Sequence, residues 1–320
     1  LGLPRDYLNA QLGKWRTRQR QAHAPDCMAH VANRLLPQDV SAVTHWLAAQ
    51  PVPQEGAPQT TPSPWPTGIK ELRCSTAKPP TPRSAPASQS AQVQQGAYLA
   101  QIGNCASCHT AASGAAFAGQ RPIATPFGPV YSSNITSDPA TGIGAWNSDD
   151  FWQALHHGRS RDGRLLSPAF PYTSFSHMTR ADSDALLAFL KTVPAVVQPN
   201  RDHGLTWPLG TPLALRVWRA LYFSPQTYVQ DTAQSAQWNR GAYLVQGVGH
   251  CGECHTPRNS LGGSTGLALS GAVMPANNWL APSLRDGAAA GVTAANREAT
   301  ARLLKTGLAR HGHATGSTRC

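Results

Sequence analysis

The stretches GNCASCHT (residues 103–110) and GHCGECHT (residues 249–256) carry the pattern Cys-X-X-Cys-His twice in one chain of 320 residues. Four of the seven cysteines belong to this pattern: Cys105, Cys108, Cys251 and Cys254. The remaining three lie far apart: Cys27, Cys74 and Cys320. A disulfide framework would need a shorter and more cysteine-dense chain. The repeated pattern therefore needs an explanation in its own chemistry.

Three kinds of site use two cysteines in this spacing. A redox dithiol needs no histidine after the second cysteine and usually lies in a βαβ context, which the sequence lacks. A structural zinc ion needs four ligands, whereas each motif offers three. Covalent haem uses the whole pattern, because two thiols one helical turn apart form thioethers with the vinyl groups and the adjacent imidazole ligates the iron. The pattern favours two haem c groups held by the four motif cysteines, with His109 and His255 as proximal ligands; zinc and a dithiol remain the alternatives.

The residues around the two motifs also repeat. QGAYLAQIGNCASCHT (95–110) aligns with RGAYLVQGVGHCGECHT (240–256) when one residue is inserted, and ALHHGRSRDGR (154–164) aligns with LLKTGLARHGH (303–313). Such self-similarity predicts two copies of one domain. In each copy, Gly-Ala-Tyr-Leu opens an apolar-periodic helix that leads to the motif.

Four stretches carry a family resemblance. They are the first repeat together with ATPFGPVYSSNITSDPATGIGAWNSDDFWQALHHGRSRDG (124–163), LSPAFPYTSF (166–175) and RGAYLVQGVGHCGECHTPRN (240–259). The chain resembles the multihaem cytochrome c subunits of periplasmic, membrane-associated dehydrogenases of the alcohol, gluconate or sorbitol type. The resemblance covers roughly residues 93–317. It implies an all-α fold of tandem class I cytochrome c domains with long irregular loops, which accept electrons from a dehydrogenase subunit and pass them to quinone or another cytochrome.

The N-terminal segment resembles a different part of that pattern. Residues 2–20 and 27–51 look like the second half of a class I cytochrome domain, with Pro37 near the start of an amphipathic closing helix. Four apolar residues fall on one face of that helix: Val40, Val43, Leu47 and Ala48. Met28 lies at the position of the distal ligand, but no haem motif precedes it. We interpret residues 1–52 as half a domain whose own haem is missing, and the chain as truncated at both ends.

The distal ligand of the first haem must be chosen among few candidates, since the chain has three methionines. Met178 directly precedes the predicted helix TRADSDALLAFLKTV, for which Thr179 is a plausible N-cap. Some relatives carry methionine where this chain has Phe170, so Met178 is either the ligand or its neighbour. Three histidines are fallback ligands: His156, His157 and His177. For the last haem no distal ligand is evident, because Met274 follows His255 closely and is expected to pack.

Composition and charge limit the remaining possibilities. The net charge of +11 comes from a shortage of acidic residues, 16 Asp and Glu, and no nucleic-acid-binding motif accompanies it. No window of 18 apolar residues exists, so no membrane-spanning helix is expected, although a membrane surface remains a possible contact. The chain begins at Leu1 and shows no signal peptide, which we interpret as a processed chain, a trimmed chain or a fragment. The family resemblance implies a periplasmic location, peripheral to the inner membrane.

The sequence divides into five predicted parts. Residues 1–52 form the half-domain, 53–92 a Pro-rich linker, 93–200 a cytochrome c domain, 201–237 a connecting segment with a short helix, and 238–320 an incomplete cytochrome c domain. The short helix lies in residues 211–223, and one of its faces carries Leu213, Val217, Trp218 and Leu221. This face is expected either to pack between haem domains or to contact a partner or a membrane surface. No dinucleotide-binding loop or nucleophile motif is present, so we expect electron transfer rather than catalysis by this chain alone. The alternative is a dihaem peroxidase, in which one iron keeps an open position.

Overall fold

The computed structural model describes residue 9, residues 35–50 and 90–274, and, near the C-terminus, residues 279–281, 283–284, 308–309 and 312–313. The chain divides into two compact units. The first-motif unit comprises Cys74–Val229 with Gly247–His250, and the second-motif unit comprises Leu1–Arg73, Gln230–Gln246 and Cys251–Cys320, each within its described residues.

Helices make up most of the described secondary structure. They are α1 Pro37–Ala48, α2 Ala91–Ile102, α3 Cys105–His109, α4 Ser148–His157, α5 Tyr172–Phe175, α6 Arg180–Leu190, α7 Pro212–Tyr222, α8 Ala236–Tyr243 and α9 Gly252–His255, with a π-helix at Leu244–Val248. The strands form three antiparallel two-stranded ribbons: β1 Pro122–Ile123 with β2 Val130–Tyr131, β3 Ala272–Met274 with β4 Trp279–Ala281, and β5 Leu308–Ala309 with β6 Gly312–His313. The described chain is thus rich in helix and poor in sheet, in agreement with the all-α prediction.

In the first-motif unit, α2 crosses α6 at a glycine. A Cβ on Gly96 would overlap the carbonyl oxygen of Ala185 and lie 2.8 Å from Cβ of Phe189, so only glycine lets the two backbones approach this closely. Both helices begin at a hydroxyl cap: the side chain of Ser90 accepts from the amide of Val93, and the predicted cap Thr179 likewise caps α6. The crossing buries the apolar faces of both helices in one core: Leu99, Ala100, Ile102, Ala185, Leu186, Leu187 and Leu190.

In the second-motif unit, α1 crosses α8 in the same way. A Cβ on Gly241 would overlap the carbonyl oxygen of Ala42 and lie 2.6 Å from Cβ of Trp46. The apolar face predicted for the N-terminal helix is confirmed, because Val40, Val43 and Leu47 are all buried. The side chain of Ala48, predicted on the same face, lies outside the described residues.

The residue inserted in the second repeat is taken up by the π-helix Leu244–Val248, which follows α8. A π-turn closes its hydrogen bonds over one residue more than an α-turn, so an α-helix absorbs a single insertion at such a point. The first repeat has no insertion, and there α2 continues as α-helix to Ile102.

The connecting segment contains the predicted short helix, α7, capped by Thr211. Three of the four apolar side chains on its predicted face are exposed in the described chain: Leu213 at 69%, Val217 at 52% and Leu221 at 62%. The fourth, Trp218, is half-buried. None of the described helices is both long and apolar enough to cross a bilayer.

Candidate haem-attachment sites

Helix α3 consists of the first Cys-X-X-Cys-His motif. It begins after Asn104, whose φ of 51° is left-handed and turns the chain out of α2. Cys105 and Cys108 lie one helical turn apart, and His109 ends the helix. The local structure therefore sets two thiols and one imidazole on a single turn, as covalent attachment requires.

His109 is oriented by a backbone carbonyl. Its Nδ1 lies 2.7 Å from the carbonyl oxygen of Ser133, and because a carbonyl only accepts, Nδ1 carries the proton. The lone pair is thereby left on Nε2, the arrangement typical of a metal-ligating histidine whose other nitrogen is held by the protein. Burial also lowers the pKa of His109, although the Ser133 hydrogen bond opposes this, and the neutral form is the one that ligates a metal.

The Ser133 carbonyl is held in place by a buried polar loop. The backbone amide of the next residue, Asn134, donates to Asn200 Oδ1 at 2.7 Å, and Asn134 Nδ2 donates to the carbonyl of Val196 at 2.8 Å. Asn134 is 2% exposed and Thr136 is fully buried. Sequence reasoning identified residues 124–163 as specific to a family without finding this role, since it depends on contacts more than 60 residues apart.

Met178, the predicted distal ligand, is 1% exposed and lies in the same unit as α3. Its backbone amide donates to the carbonyl of Phe175 at 2.9 Å, and Thr179 then caps α6. The alternative position, Phe170, is half-buried and packs on Phe175 with ring centroids 5.5 Å apart. The structure thus places a buried thioether just before the closing helix of the first-motif unit.

The fallback histidines lie in the same unit. His156 is buried and stacks on Trp152 at 4.3 Å, His157 is half-buried, and Nδ1 of His177 lies 3.1 Å from the carbonyl of Ser174. Burial lowers the pKa of each imidazole, so all three are held toward the neutral form.

The second motif repeats this local structure. His250 has a left-handed φ of 38°, as Asn104 has before the first motif, and α9 carries Cys254 and His255. Burial, reinforced by Cys254, raises the pKa of Cys251 to about 12. A redox dithiol requires the opposite shift, toward the thiolate, so the second motif does not favour that alternative.

The backbone after each motif is held by a pair of matching hydrogen bonds that sequence reasoning missed. Thr110 Oγ1 accepts from the amide of Phe117 at 3.1 Å, and Thr256 Oγ1 accepts from Leu269 at 3.1 Å. Phe117 and Leu269 share a left-handed φ of 63°.

Two residues beyond each of them, a glycine amide donates to the carbonyl of the motif histidine at 2.8 Å: Gly119 to His109, and Gly271 to His255. The loops between threonine and glycine differ in length, which hid this equivalence. The available signal was the threonine directly after each histidine.

Several predicted site residues have no further support in the structure. Met28 lies outside the described residues. Met274, which was expected to pack, lies in β3 and pairs with Trp279 of β4. Within the described ranges, no three His, Cys, Asp or Glu side chains converge to hold a metal ion.

Comparison with known proteins relates the chain to dehydrogenase cytochromes. It is 40% identical to the cytochrome c subunit of a quinone alcohol dehydrogenase from Gluconacetobacter polyoxogenes over 239 residues, covering 72% of this chain and 51% of that protein. It is 42% identical to the cytochrome c subunit of gluconate 2-dehydrogenase from Pantoea cypripedii over 204 residues, covering 61% and 46% of the two chains. It is 41% identical to a diheme cytochrome c-type protein from Cereibacter sphaeroides over 177 residues, covering 53% and 59%.

These similarities confirm the resemblance drawn from the motifs: the chain is a homologue of the cytochrome c subunits of dehydrogenases. It spans about half the length of the curated relatives it matches. No protein-family model matches the chain.

Proposed function

We propose that this chain is an electron-transfer cytochrome c that carries two covalently bound haem c groups. Two sets of residues would hold them: Cys105, Cys108 and His109 in the first-motif unit, and Cys251, Cys254 and His255 in the second. The observation that carries the proposal is the geometry of α3, where two thiols and an imidazole share one turn and Ser133 leaves the Nε2 lone pair for a metal. The names of the relatives, cytochrome c subunits of dehydrogenases, support electron transfer.

The residues present fit this cofactor. A bound haem c supplies a one-electron redox centre, and the protein fixes the axial ligands and the burial that tune it. We assign Met178 as the distal ligand of the first haem, because it is a buried thioether just before the closing helix. For Met28 the proposal is a different one: it is a candidate axial ligand of an N-terminal haem that neither of the two motifs would hold.

The expected partners follow from the relatives. We propose that electrons arrive from a dehydrogenase catalytic subunit and leave to quinone, a downstream cytochrome or an oxidase. The location proposed is the periplasm, peripheral to the inner membrane, because haem c is attached to exported proteins. The exposed apolar residues of α7 and the net charge of +11 are compatible with contact to an anionic membrane surface.

We also propose the five-part organisation given above, in which residues 93–200 and 238–320 are the two haem-bearing regions. The relatives named above do not favour the dihaem peroxidase alternative. That alternative predicts a high-spin ferric haem and rapid turnover of hydrogen peroxide by the isolated chain. Both results together would contradict electron transfer as the main role.

The deciding experiment is haem counting in a host that matures c-type cytochromes. Haem staining on a denaturing gel and the pyridine haemochrome spectrum should give two haems per chain. The double variants Cys105→Ala/Cys108→Ala and Cys251→Ala/Cys254→Ala should each retain one. A control variant with alanine at Cys27, Cys74 and Cys320 should keep both, and colourless wild-type protein would end the proposal.

A further inference from the structure

The two units contain the same helix crossing but draw its second helix from opposite sides of the chain. In the first-motif unit, α2 leads to the motif and α6 follows it. In the second-motif unit, α8 leads to the motif, whereas its crossing partner is α1, which lies almost 200 residues before α8.

The contacts of the two crossings match residue by residue. Directly before the crossing glycine, Gln95 Nε2 donates to Asp182 Oδ1 at 3.2 Å. In the second-motif unit, Arg240 Nε donates to Asp39 Oδ1 at 2.8 Å. Each aspartate stands three residues before the alanine whose carbonyl meets the glycine, so the pairs occupy equivalent positions.

The α1–α8 contact is built like a domain core and not like a loose surface association. Asp39 is 3% exposed, so its charge depends on Arg240 for compensation. Trp46 is 3% exposed and its ring centroid lies 6.1 Å from that of Trp238. Gln237 Nε2 adds a hydrogen bond to Ser41 Oγ at 2.6 Å.

We propose that α1 is the closing helix of the unit that carries the second motif. The N-terminal segment then does not belong to a separate, haemless half-domain. It completes the unit around Cys251–His255. That cytochrome unit is assembled from two parts of the chain that are separated in sequence by the first-motif unit. The pairing of the two helices does not depend on the proposed function. Only its haem-dependent consequence, that α1 shields the second haem, rests on that function.

The first test measures amide hydrogen exchange in the full-length haem-loaded chain. Trp46→Ala should lower the protection of residues 236–243 at least tenfold and leave residues 91–102 unchanged. The matched variant is Phe189→Ala, since Phe189 stands four residues after Ala185 as Trp46 stands after Ala42. It should have the reverse effect.

A second pair of variants separates the ion pair from general destabilisation. Arg240→Leu leaves Asp39 buried without its partner and should lower protection in both α1 and α8. Arg240→Gln recreates the Gln95–Asp182 pair of the other unit and should retain most of the protection. Equal effects of the two variants would argue against a specific closing contact.

The haem-dependent consequence is tested in the Cys105→Ala/Cys108→Ala background, where one haem remains. If α1 closes that unit, Trp46→Ala should speed carbon monoxide binding to the ferrous haem at least tenfold, while Phe189→Ala should not. Unchanged binding would overturn the haem-dependent consequence.

Two further outcomes distinguish the possible failures. Unchanged exchange of residues 236–243 in Trp46→Ala would overturn the closing role of α1, and protection lost on dilution would show that α1 comes from a second copy. A chain that binds no haem would refute the proposed function instead, and the exchange comparison would still report on the helix pairing.

Discussion

The two motif-bearing units share the same local contacts around the motif, although the segments before and after the motif differ in length. In both, the helix that leads to the motif crosses a second helix at a glycine. In both, the hydroxyl of the threonine directly after the motif accepts a hydrogen bond from the amide of a later loop residue, Phe117 or Leu269. The second unit has one extra residue before its motif and a longer loop after it. The π-helix takes up the extra residue before the motif, and the additional residues after the motif lie in the loop between threonine and glycine. The comparison shows which positions the local fold constrains: the glycine, the left-handed residues and the threonine.

The largest effect is expected at the crossing glycines. Gly96→Val and Gly241→Val each force a branched side chain against a backbone carbonyl, and each should lower the free energy of unfolding of its own unit by at least about 3 kcal/mol. Denaturant unfolding followed by tryptophan fluorescence measures the change. The exposed control Gln92→Val should stay within about 0.5 kcal/mol. Tolerance of valine at either glycine would contradict the crossing.

The threonine contacts should give the next largest loss. Thr110→Val or Thr256→Val removes the acceptor of a buried amide, that of Phe117 or Leu269, and should cost about 1–3 kcal/mol. Thr→Ser at either site keeps the hydroxyl and should recover most of the stability. Equal losses for valine in the two units would support their equivalence, and a loss in one unit alone would break it.

Met178 and Leu35 test whether equivalent positions have equivalent roles. Each directly precedes the N-cap of its closing helix, and both are buried. Met178→Leu preserves volume and should cost less than about 1.5 kcal/mol of stability. It should nevertheless lower the reduction potential of the first haem, because a thioether ligand raises it.

Leu35→Met, at the equivalent position of the second-motif unit, is the matched control and should leave the potential of the first haem unchanged. Potentiometric titration with optical detection measures both variants. An unchanged potential in Met178→Leu would move the distal ligand to another side chain.

The smallest effect is expected for the polar pair of the first crossing. Gln95→Ala removes a neutral donor from Asp182 and should cost about 0.5–1.5 kcal/mol. Arg240→Leu should cost more, because it leaves the buried charge of Asp39 without a partner. The difference between the two variants in denaturant unfolding sharpens the comparison, and a larger loss for Gln95→Ala would contradict it.

Much of the local structure could be predicted from the sequence. Periodicity, the Pro37 start and the Thr179 cap predicted helices that the structure contains, because these signals act over a few residues. The motif spacing alone placed the thiols and imidazole of each unit on one turn.

The missed features depend on contacts between distant residues. Two examples are the pairing of α1 with α8 and the hydrogen bond between His109 and Ser133. Both require distant segments to meet in the folded chain, and no local sequence pattern encodes either contact. The sequence left open whether Leu213, Val217 and Leu221 are covered, since an amphipathic pattern shows that a face exists but not whether another part of the chain packs on it.

The hydrogen bond from His109 to Ser133 also links the loop around Asn200 to the strength with which the imidazole of His109 would bind a metal. An imidazole whose Nδ1 proton is shared with a strong acceptor is a better electron donor at its other nitrogen. Because Asn200 and Asn134 fix that acceptor, a change at the surface near Asn200 would alter the donor strength of His109 without touching the motif. Such changes would allow the two proposed haems to differ in reduction potential while both keep the pattern Cys-X-X-Cys-His.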